Sequence, residues 1–103
     1  MRRLLGIFAI IVGSLGCEAK VTFTLAERGQ HVYRGYCTTC HNPDPAQIGS
    51  LGPALKGTPL NVLQTKVLYG LYPDGYKPKR KTHVMPLFPN LGPDLPAVAE
   101  YLK

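Results

Sequence analysis

The residues best suited to chemistry crowd into one pentapeptide, Cys37-Thr38-Thr39-Cys40-His41, which sets two thiols one helical turn apart and an imidazole directly after the second. Three chemistries use such a group. The thiols can add across the two vinyl groups of one haem while the histidine meets the iron from the same side. A redox dithiol would want a βαβ pattern around it, and half of a zinc site would want a second Cys or His pair at matching spacing. The chain offers no alternating strand pattern and no such second pair, so the motif favours covalent attachment of one haem c per chain, through Cys37, Cys40 and His41.

The elements that must carry this group are helical. Thr24-Leu25-Ala26-Glu27 has the form of a capping box, in which the hydroxyl and the carboxylate satisfy orphan N–H groups at a helix start. Leu25, Gly29, Val32, Tyr33 and Tyr36 then recur on one face, which predicts a helix over 25–36 ending at the motif. Residues 42–57 are rich in Pro and Gly and read as an irregular loop. Thr58 as N-cap with Pro59 at the first helical position opens a second helix, striped by Leu60, Leu63, Val67 and Leu68 and stopped by Gly70 as a left-handed cap. Between 72 and 93 the prolines Pro73, Pro78, Pro86 and Pro89 and the glycines Gly75 and Gly92 forbid a long helix or central strand. A loop of that length inside a compact domain indicates a functional segment. Asp94 as N-cap and Pro96 in the first turn begin a last helix, with Leu95, Val98, Tyr101 and Leu102 on one face. The fold class expected is all-α: three main helices and long irregular loops.

The chain has 103 residues, 12 Lys+Arg against 6 Asp+Glu, and 3 Cys. Met1-Arg2-Arg3, the apolar run 4–12 and the small-residue approach Gly13 to Gly16 read as an export signal over 1–16, with an uncleaved membrane anchor as the alternative; the run is short for a bilayer, which takes about 20 apolar residues. A tether over 17–24 and a single domain over 25–103 follow. A domain this small gains stability from a bound group that supplies core. Its basic balance fits acidic protein partners or anionic lipid, and export argues against nucleic acid. No Ser-His-Asp set, phosphate loop or carboxylate pair points to an enzyme.

The ordered set of segments resembles the class I cytochrome c family over 25–103. The parts that carry the likeness are a first helix with Gly29 and Tyr33, the haem motif, Gly52-Pro53-Ala54-Leu55-Lys56-Gly57, a middle helix, Met85-Pro86-Leu87-Phe88, and a last helix with Val98 and Tyr101-Leu102. The resemblance implies a small cytochrome c fold wrapped around one covalent haem. It implies that the Pro53 carbonyl accepts the His41 Nδ1–H, that Gly29 lets the last helix cross closely with Tyr33 near Tyr101, and that Met85 is the sixth iron ligand. Met85 is the only methionine besides Met1. Its rivals are a plain core-filling role and ligation by His83 on the same loop, otherwise an exposed residue. His31 reads as a surface histidine, and Tyr69 and Tyr72 stay outside the ligand set.

The function implied is single-electron transfer between periplasmic or membrane redox partners by a bacterial monomer with a His/Met-ligated haem. The alternatives are a dedicated haem subunit of a larger oxidoreductase, or a haem sensor or peroxidase-like protein in which Met85 dissociates. Lys77, Lys79, Arg80 and Lys81, just ahead of Met85, are candidate docking charges for an acidic partner. Cys17, directly after the apolar run, resembles the lipidated cysteine of bacterial lipoproteins, although Ser14 stands where that signal has a large aliphatic residue. Lipidation would anchor the protein to the membrane from the periplasmic side, whereas ordinary cleavage after Gly16 or Ala19 would release it.

Overall fold

The computed structural model describes residues 22–103, together with Gly13 and Gly16. The rest of the expected signal over 1–16, the Cys17 lipidation site and most of the 17–24 tether lie outside the described residues.

Three α-helices, α1 (Leu25–Tyr36), α2 (Leu60–Tyr69) and α3 (Leu95–Tyr101), make an all-α architecture with no strand among the described residues. α1 starts where Thr24 Oγ1 accepts the Glu27 N–H at 3.1 Å. The return half of the capping box differs from expectation, because the Glu27 carboxylate takes the Thr24 hydroxyl proton at 2.9 Å rather than a backbone N–H. Pro59 is the extended N-cap of α2 and not the first helical residue it was expected to be, and Thr58 is not a side-chain cap; the Thr58 hydroxyl donates to the Leu55 carbonyl and closes the preceding turn. Gly70 ends α2 at φ 70°, the left-handed conformation that glycine adopts without a Cβ penalty.

A six-residue 3₁₀ helix, Pro89–Asp94, precedes α3 where an irregular loop was expected. Prolines tolerate such a turn because its first N–H groups have no internal partner. Asp94 makes no side-chain cap on α3. Its carboxylate instead accepts from Arg28 Nη2 on α1 at 2.7 Å, an exposed pair that contributes at most about 1 kcal/mol.

The core joins α1 to α3. At seven residues α3 cannot persist alone and depends on this packing. Gly29 faces Ala97, and a Cβ there would sit 1.9 Å from the Ala97 carbonyl oxygen, so only glycine admits this crossing. Tyr33 lies against Tyr101 with centroids 5.5 Å apart. Tyr33, Leu95 and Leu102 are fully buried among Leu63, Val67, Leu91 and Val98, and each buried aliphatic side chain contributes about 1.5–3 kcal/mol. Leu25, expected on the apolar face, is exposed, while Val62 is buried without having been assigned to the α2 stripe.

Candidate functional site

The pentapeptide extends the last turn of α1. Cys37 N–H donates to Tyr33 O and His41 N–H to Cys37 O, both at 2.9 Å, so helical hydrogen bonding runs through the motif. Both thiols are half-buried and unpaired. Burial pushes the Cys37 thiol up to about 11, so it is protonated at neutral pH and a weak partner for disulfide exchange.

The chain then folds back over His41. The Cys40 carbonyl accepts from Leu51 N at 3.1 Å and Gly52 N at 3.0 Å, and the Pro45 carbonyl accepts from Leu55 N and Lys56 N. Two glycines make this return possible. A Cβ on Gly49 would lie 2.3 Å from the Cys40 carbonyl oxygen, and one on Gly52 would lie 2.4 Å from His41 Cε1. His41, 8% exposed, brings Nδ1 to 2.9 Å from the Pro53 carbonyl. A carbonyl only accepts, so Nδ1 carries the proton and Nε2 keeps its lone pair.

In front of this wall lies a cavity of about 400 Å³, within the range of small-molecule sites. Cys37, Cys40, His41, Pro53 and Met85, all nominated from the sequence, line it together. Its floor is the apolar core of Val62, Leu63, Val67, Leu91 and Leu95. His83 is exposed and is not on the lining, nor are His31 and Tyr69. Among the described residues no group of three or more His, Cys, Asp or Glu side chains is placed to hold a bare metal ion.

The cavity also gathers Tyr76 and Lys66, which the sequence did not single out, beside Tyr72, which it left outside the ligand set. Tyr72 and Tyr76 stack at 5.5 Å across the turn at Gly75, Lys66 Nζ sits 4.6 Å over the Tyr72 ring, and all three side chains reach the lining. Lys79 and Arg80 add two more cations to it. A signal for the aromatic pair existed, two tyrosines bracketing Pro73-Asp74-Gly75, but its meaning depends on α2 lying alongside. Cations and phenols here can receive the acidic groups of a bound molecule. Tyr33, also on the lining, donates its hydroxyl to the Asn42 carbonyl. Burial, then the neighbouring Cys37, Tyr101 and Asp44, raise its pKa from 10.0 to about 12.

Comparison of the chain with protein-family models, with curated proteins and with solved structures returned no match.

Proposed function

We propose that this chain is a monohaem c-type cytochrome of the class I cytochrome c family, which passes single electrons between redox partners in a bacterial periplasm. The observation that carries the reading is the meeting of Cys37, Cys40, His41 and Met85 on one cavity whose floor is apolar.

The residues fit the group. Free thiols one turn apart can form the two thioethers, and an imidazole held by Pro53 through Nδ1 offers Nε2 to a metal. Gly52 leaves the ring its place, since any Cβ there would fill it. The cavity accepts an apolar macrocycle, and Lys66, Tyr72, Tyr76, Lys79 and Arg80 on its lining suit propionates. Bound there, the haem would supply a one-electron ferric/ferrous couple. Pro53 makes the imidazole a stronger donor by accepting its proton in a hydrogen bond. Met85, the soft thioether of 22–103, would favour the reduced state and raise the potential. The core side chains exclude water from the site. No residue of this set acts on a substrate, so the chain is read as a carrier and not an enzyme.

The exposed cations of 77–81 support an acidic protein partner. Among the described residues no helix is long and apolar enough to cross a membrane; a lipid at Cys17, outside those residues, is the anchor proposed for a membrane-bound form.

Acid extraction followed by mass spectrometry tests the assignment. The polypeptide should retain the mass of one haem, and Cys37→Ala or Cys40→Ala should lower the yield of loaded protein. Haem that leaves the wild-type chain in acid would end the c-type reading.

A further inference from the structure

The segment that carries Met85 is tied down at its ends and almost nowhere between. At its start the Tyr76 N–H donates to the Pro73 carbonyl at 3.1 Å and Tyr76 stacks on Tyr72. At its end the Phe88 N–H donates to Val67 O on α2 at 2.9 Å, and Phe88 packs edge-on against Tyr36 at 5.8 Å. From 77 to 87 no backbone hydrogen bond is made among the described residues. One polar tether crosses this gap: Lys79 Nζ donates to the Ala54 carbonyl at 2.7 Å.

The position of that carbonyl gives the tether its meaning. Ala54 follows Pro53, whose own carbonyl holds His41 Nδ1. Two adjacent carbonyls of one loop therefore grip the histidine from one side and the Met85 segment from the other. Lys79 itself lines the cavity, so the tether lies at the site and not away from it. We infer that Lys79 is a positioning residue, a latch that holds the Met85 segment over the cavity and keeps the thioether seated. Pinning a loop part-way along reduces the conformations open to the rest of it, and a charge-assisted hydrogen bond is the stronger kind.

The role of Met85 as iron ligand rests on the function proposed above, but the latch is a property of the loop and can be read without it. Lys79→Met keeps the aliphatic stem and removes the donor. Lys77→Met and Lys81→Met remove the same charge from neighbouring positions that make no such bond. Two measurements on the purified full chain decide the matter. Amide hydrogen exchange at Phe88, the hydrogen-bonded amide that closes the segment on Val67, should quicken about 3- to 10-fold in Lys79→Met, the low end of what a hydrogen bond from a charged donor supplies once exposure is discounted, and stay at the wild-type rate in the two controls. Carbon monoxide association with the reduced protein, which waits on Met85 leaving, should quicken by a similar factor, and Lys79→Arg should restore part of the slow behaviour. Exchange alike in all three methionine variants would overturn the latch. A wild-type chain that purifies without haem would instead sink the proposed function, and the exchange arm would still decide the latch.

Discussion

The two walls of the cavity are built to different standards. The wall that bears His41 is a lattice of backbone hydrogen bonds: the carbonyls of Cys37, Cys40 and Pro45 each accept two N–H groups, and Pro53 accepts the imidazole. The wall that bears Met85 has no backbone hydrogen bond from 77 to 87, and Pro78 and Pro86 lack the donor to make one. Met85 and Phe88 pack on the core there, but Val84 and Leu87 stay exposed. The imidazole is therefore set in place by the polypeptide, whereas the thioether arrives on a strand whose position depends on its ends, on apolar contact and on Lys79. For the electron carrier proposed above, which would change oxidation state with little rearrangement, one fixed and one restrained ligand would be a workable division.

The strongest way to break this contrast is to crowd the rigid wall. Gly52→Ala places a methyl 2.4 Å from the His41 ring, which the Pro53 carbonyl holds through Nδ1, leaving it little room to yield. Overpacking of this kind should destabilise the chain by about 3 kcal/mol and cut the haem bound per chain. Met85→Ala removes a half-buried side chain from the soft wall and should keep both the fold and the covalent group. Guanidinium melts and haem content per chain compare the two variants directly. Equal damage from both would mean that the walls are not mechanically distinct.

The same contrast explains what the sequence made legible. Features set by near neighbours were legible: the capping hydroxyl of Thr24, the turn-spaced Cys37, Cys40 and His41, and the Gly70 stop are all read within a few positions, and they fall where expected. What escaped depends on distant partners. Asp94 looks like a helix cap until Arg28, 66 positions away, claims its carboxylate. Lys79 looks like one charge among four until Ala54 accepts from it. Thr58 turns back to Leu55, and Pro59, extended, takes the cap position itself. The 3₁₀ turn over Pro89–Asp94 was hidden by the prolines and glycine that form it, since those residues signal a break more strongly than a tight helix. The closeness required at Gly49 leaves no trace in local pattern at all.

Changing the chemistry of the soft wall, and not its packing, should sharpen the comparison. Met85→His exchanges a soft ligand for an imidazole that favours ferric iron. The midpoint potential should fall by a sizeable fraction of the roughly 0.8 V that axial ligands span. His83→Ala, two residues away but off the cavity lining, should leave the potential near wild type. A spectroelectrochemical titration reads both, and an unmoved potential in Met85→His would remove Met85 from the ligand set.

Tyr33 also tests the rigid wall. Its folded-state pKa of about 12 stands above the 10.0 of an unfolded tyrosine. The stability it contributes is thus complete below about pH 10 and is lost as pH rises through about 12. Burial is the first cause, and it persists when Cys37 becomes an uncharged thioether. Tyr33→Phe should cost about 1 kcal/mol at neutral pH for the lost hydrogen bond to Asn42. The variant should also lose stability less steeply than wild type between pH 10 and 12. Parallel slopes in thermal melts across that window would place the phenol outside the alkaline transition.

The smallest effect expected is at the mouth of the cavity, and it separates charges that only solvate from one that holds. Lys77 and Lys81 are exposed, and neither enters an ion pair or a hydrogen bond among the described residues. Lys79, between them, is engaged with Ala54. If an acidic partner docks here, the free cations steer it, and reversing Lys77 or Lys81 to Glu should slow association a few-fold at about 0.1 M salt, where the Debye length is about 10 Å. At about 1 M, with that length near 3 Å, variant and wild type should converge. The potential should not move, because neither side chain reaches the cavity lining. Lys79→Met should behave differently: it slows docking by the loss of one charge, yet it also disturbs the spectrum of the Met85 side, which the reversals leave alone. Stopped-flow oxidation across a salt series, with the visible spectrum recorded alongside, distinguishes the two kinds of lysine. A rate indifferent to both salt and charge reversal would reduce Lys77 and Lys81 to solubility, while leaving the role of Lys79 to be judged on exchange alone.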